Sequence, residues 1–72
     1  MDINTVIRTL NIAEKHMSAA KFNAFRTELR REYLTDQIAV RRSYLAQRVM
    51  KADIKAQFEK ELPILEQQLA AL

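Results

Sequence analysis

Seventy-two residues with no cysteine, no glycine, one proline and one histidine, at a net charge of +3, rule out several classes of protein. A chain this short makes one domain whose core supplies only about 3–5 kcal/mol of net stability, and without cysteine neither disulfides nor a thiolate metal site can add to it. Without glycine, the residue that most readily takes φ > 0 in tight turns is missing, so residues 1–72 are expected to form a single all-α domain, a small bundle of three to four helices.

The first helix is expected to open at Asp2, whose carboxylate can accept from the free N–H groups of the first turn, with Met1 and Val6 placed as a hydrophobic staple. Its apolar stripe, Ile3, Val6, Ile7, Leu10, Ala13 and Met17, advances in steps of three and four and leaves Arg8, Asn11, Glu14 and Lys15 toward water.

Ser18 is the best internal break signal, a capping residue flanked by Met17 and Phe22 at staple positions, so a second helix is expected from Ala19. Lys21 stands where a reciprocal capping box would want Glu. Phe22, Phe25, Leu29 and Tyr33 then form the stripe, and losing either phenylalanine from a core would cost about 3–5 kcal/mol.

The pattern weakens around Leu34, and Thr35 followed by Asp36 reads as the cap of a third helix, with an uninterrupted helix as the alternative. Beyond it the apolar positions run Ile38, Leu45 and Val49, then slip by one residue to Met50, Ile54, Phe58, Leu62, Leu65, Leu69 and Leu72. Asp53 could cap a new helix there, but its staple partners Ala52 and Gln57 are poor, so the reading favours one long C-terminal helix bent near Pro63. A helix from Asp36 to Leu72 would be about 55 Å long, against a radius of gyration of roughly 11 Å for a compact chain of this length. Either the chain folds back near residues 50–53, or the long helix packs against a second copy.

Charge is distributed unevenly. Residues 1–20 balance, and residues 52–72 are net −2, with Lys55 and Lys60 against Asp53, Glu59, Glu61 and Glu66. Residues 21–51 are net +5, with Lys21, Arg26, Arg30, Arg31, Arg41, Arg42, Arg48 and Lys51 against Glu28, Glu32 and Asp36. Arginine offers bidentate contacts to carboxylate or phosphate, so Arg26, Arg30, Arg31, Arg41, Arg42 and Arg48 are the candidate partner-binding residues, although a solvated face partly answered by Glu28, Glu32 and Asp36 accounts for them as simply. The C-terminal stripe Ile54, Phe58, Leu62, Leu65, Leu69 and Leu72 has nearly the rhythm of a helix–helix seam. It reads first as bundle core and second as a self-association surface.

A helix-turn-helix can be laid on residues 37–49, with Ala39, Ser43 and Val49 at its marker positions, but Arg42 falls where an apolar residue should pack and the turn has no glycine. Catalysis is not expected. The lone His16 has no nucleophile in register, Glu59 and Glu61 point to different faces, and Glu28 and Glu32 each stand beside an arginine. Neither a metal nor a cofactor is expected. Membrane-surface binding ranks third, because the basic middle and the apolar tail do not coincide. The N-terminus has no signal-peptide pattern, and no uncharged stretch approaches the roughly 20 residues that span a bilayer, so a cytoplasmic protein is expected.

These features point to a small regulatory or adaptor protein that binds a protein partner with an acidic surface through its arginine-rich face and forms a homodimer through its C-terminal helix. Its size and economy suggest a bacterial or phage source. Nucleic-acid binding by the same arginines on phosphates is the alternative.

Overall fold

The computed structural model describes residues 2–47 and 51–72, and among them regular structure is entirely helical. Three helices follow in order, α1 (Ile3–His16), α2 (Ala19–Leu45) and α3 (Ala52–Ala70). The chain divides into two compact units, residues 1–33 and 34–72, with the boundary inside α2.

The first unit contains α1 and the opening half of α2. Asp2 caps α1 from an extended backbone (φ −89°, ψ 163°), its Oδ1 accepting from the Thr5 N–H at 2.6 Å. Lys15 and His16 occupy the last turn, where the helix dipole favours positive charge. The connection is two residues long, Met17 and Ser18, with Met17 extended at φ −122° and ψ 151°. No described residue has positive φ, so this connection needs no glycine. Ser18 opens α2 through its carbonyl, which accepts from the Phe22 N–H at 2.8 Å, and more weakly through its hydroxyl, which accepts from the Lys21 N–H at 3.4 Å.

Burial in this unit centres on Val6 and Ala13 of α1 and Leu29 of α2. Leu10, Phe22, Phe25 and Tyr33 are half-buried, so the two phenylalanines flank the core instead of filling it. Ile3, Ile7 and Met17 of the α1 stripe remain exposed. Met1, the expected staple partner of Val6, lies outside the described residues.

The second unit contains the closing half of α2 and α3. Leu34 and Ile38 are buried, and Arg41, Tyr44 and Leu45 are half-buried. The helix expected to open at Thr35 does not; α2 runs through that position without interruption. The reason lies in the phase of the buried positions. Tyr33 closes one stripe and Leu34 opens another, and neighbours on a helix stand about 100° apart, so the inward face changes while the backbone stays helical.

The continuous C-terminal helix preferred from sequence is also corrected. α2 ends at Leu45 in a turn where the Ala46 N–H donates to the Arg42 carbonyl and the Gln47 N–H to the Tyr44 carbonyl. α3 begins at Ala52, with Lys51 at the cap position and Asp53 in the first turn, where a carboxylate suits the dipole. Val49 and Met50, where the apolar phase slips, lie outside the described residues. Pro63 sits inside α3, which continues to Ala70.

Within this unit α2 and α3 run antiparallel, since Tyr44 meets Phe58 while the earlier Arg41 meets the later Glu61. The inward face of α3 is the predicted stripe. Ile54, Phe58, Leu62, Leu65 and Leu69 are half-buried, as is Leu72 just beyond the helix end, and no residue of α3 is fully buried.

Candidate partner-binding surface

The six arginines proposed from sequence fall into different environments. Arg26 and Arg30 lie one turn apart on α2, both exposed and with no ion pair to a described residue. Arg31, three positions after Glu28, forms an ion pair with it along the helix. Arg48 lies outside the described residues.

Arg41 differs from the outward-facing cation expected. Its side chain is 19% exposed, and its Nε donates to Glu61 Oε2 at 2.6 Å. The same guanidinium donates to the Gln37 carbonyl at 3.1 Å and to the Gln37 side-chain oxygen at 2.8 Å, and its carbon lies 5.4 Å from the centre of the Phe58 ring. Gln57 donates to the other Glu61 oxygen at 2.9 Å. Phe58 in turn takes the Tyr44 ring edge-on, with centroids 5.2 Å apart and planes at 73°. Arg41 therefore sits in a polar clasp above an aromatic pair, an arrangement that offsets the desolvation of its charge. The Arg41 guanidinium, and next the Gln57 amide, hold the Glu61 carboxyl below its ordinary value by bonding to its ionised form.

Arg42 pairs with Glu66 at 2.6 Å, but its side chain stays 64% exposed, so part of its donor capacity faces water. The pair lines a groove of about 340 Å³ between the two helices, together with Thr35, Ile38, Ala39, Leu69 and Ala70.

Sequence reasoning identified the arginines and missed the carboxylates that answer two of them. It weighed Glu28, Glu32 and Asp36 as counter-charges, whereas Arg41 and Arg42 are met by Glu61 and Glu66, 20 and 24 positions away. The one available signal was coarse, a basic middle followed by an acidic last segment, which is the complementarity two antiparallel helices need. The helix-turn-helix alignment fails on the backbone, because Ser43 is inside α2 where the turn should be. Among the described residues no group of three or more His, Cys, Asp or Glu side chains could hold a metal ion, and no helix is long and apolar enough to cross a membrane. Comparisons with protein families, with curated protein sequences and with solved structures find no match to this chain.

Proposed function

We propose that this chain is a small regulatory or adaptor protein of the cytoplasm that binds an acidic surface on a protein partner through arginines of α2 and self-associates through α3, whose axis bends at Pro63. The observation that carries the binding reading is the pair Arg26 and Arg30, one helical turn apart, exposed and unmatched by any described carboxylate. Two guanidinium groups one turn apart offer bidentate geometry to carboxylates, and the planar fork of each is pre-organised, so less freedom is lost per hydrogen bond formed. Arg31, already paired with Glu28, and Arg42, paired with Glu66, are weaker candidates considered each by itself. Arg41 supports the hairpin instead of meeting the partner.

The experiment is affinity capture from the native host with wild-type protein and the charge-reversed R26E/R30E variant side by side, alongside gel-shift titration with a DNA duplex at about 50 mM salt. A captured protein lost from the variant, with no DNA shift, is the expected result. Equal capture by both proteins overturns the reading. A DNA complex whose affinity falls steeply with salt would transfer these arginines to phosphate neutralisation.

A further inference from the structure

Resting on the reading that Arg26 and Arg30 meet an acidic protein surface, we propose that this surface is one face of an α-helix, on which two carboxylates one turn apart lie between apolar side chains. The docking strip is Phe22, Arg26, Arg30 and Tyr33, all on α2 and all within the first compact unit. Their steps of four, four and three confine them to a band about 80° wide and about 16.5 Å long.

The two arginines are unanswered for a reason local to the helix. Side chains reach one another along a helix at separations of three and four, and no such position around Arg26 or Arg30 carries a carboxylate. Glu28 stands two positions from each of them, which turns it to another side of α2, where it pairs with Arg31. Arg26 and Arg30 are themselves four apart, so their like charges repel along the helix, and a matching pair of carboxylates relieves that repulsion.

The ends of the strip select the kind of partner. Phe22, four before Arg26, and Tyr33, three after Arg30, are both half-buried, so apolar surface borders the charged pair at each end. A single-stranded nucleic acid carries a phosphate with every base, which calls for rings alternating with cations, and a duplex backbone is charged along its whole length. Neither matches the order ring, cation, cation, ring. An amphipathic helix does, because it sets side chains at the same steps of three and four. Its two carboxylates accept from the guanidinium forks, and its flanking apolar side chains cover the open parts of the two rings.

Fluorescence anisotropy of labelled peptides titrated with the full chain at about 50 mM salt tests the proposal. The matched peptide is an alanine-based helix with two glutamates four apart between two leucines in the same steps, made in both chain directions. A scrambled peptide of the same composition places the glutamates on opposite faces, and an oligothymidylate is the nucleic-acid arm. One matched peptide should bind at least about tenfold more tightly than either control and should weaken when serine replaces its leucines. Its binding should be lost in R26E/R30E and in R26Q/R30Q, whose positions are exposed and whose helicity by circular dichroism should equal wild type. Equal binding of matched and scrambled peptides, lost in both variants, overturns the helical partner and leaves the acidic surface standing. Matched-peptide binding undiminished in the variants overturns both. Tighter binding of the oligothymidylate overturns the helical partner in favour of phosphate, and so does the absence of any peptide binding in favour of a different acidic surface, for which capture from the host remains the measure.

Discussion

The Arg41 guanidinium donates to the Glu61 carboxylate at 2.6 Å while its carbon lies 5.4 Å from the centre of the Phe58 ring, so one side chain ties α2 to α3 by charge and by packing. Arg42 and Glu66 make an ion pair of equal length in far more solvent. Ion pairs in water contribute little, whereas a sheltered pair leaves an uncompensated charge when one partner is removed. Arg41→Ala should therefore lower the urea midpoint of unfolding more than Arg42→Ala. A double-mutant cycle on Arg41 and Glu61 should show coupling that the Arg42 and Glu66 cycle lacks. Equal midpoints would mean that the clasp contributes no more than a surface pair.

Acid should loosen the hairpin through Glu61. Its folded pKa is held below the ordinary 4.5 by the Arg41 guanidinium and the Gln57 amide, so the folded state binds its proton less readily than the unfolded chain. The stability this supplies is fully present above pH 4.5 and is lost as pH falls below it toward the depressed folded value. Asp2, lowered from 3.8 by the Thr5 N–H, acts in the same direction at the start of α1. Thermal unfolding followed from neutral pH downward should show a flatter acid limb in E61Q than in wild type. An unchanged acid limb would exclude Glu61 as its source.

How much of this was legible in the sequence follows from the range of each interaction. Asp2 and Ser18 marked helix starts correctly because capping is settled within three or four residues. Thr35 misled because a change of buried face weakens periodicity in the same way as a helix end, and only the backbone distinguishes the two. The end of α2 was harder to place, since no Gly or Pro stands between Leu45 and Ala52. The C-terminal stripe was legible because Ile54, Phe58, Leu62, Leu65 and Leu69 keep one phase along one helix. The environment of Arg41 was not legible. Its partner is 20 residues away, and nothing local distinguishes it from Arg30.

Pro63 is the clearest local conflict within an element. It stands inside α3 and is exposed, so its ring fills no core, yet it removes one backbone donor and crowds the Glu59 carbonyl. Pro63→Ala should raise stability by up to about 3 kcal/mol, read from urea unfolding with the helical signal at 222 nm. A loss of stability would show that α3 depends on the proline ring at position 63.

The two faces of α3 predict opposite responses to the same charge. Leu69 is half-buried on the inward stripe and lines the groove, whereas Ile64 is 56% exposed on another side of the helix. Leu69→Asp removes apolar contacts and places a carboxylate where water is scarce, and should cost about 2–3 kcal/mol. Ile64→Asp leaves its carboxylate hydrated and should change stability by no more than about 0.5 kcal/mol. Denaturant titration of the two variants at one protein concentration separates them. If Ile64→Asp proves the more damaging, the inward face of α3 is centred near Ile64, and Leu62, Leu65 and Leu69 no longer define the seam.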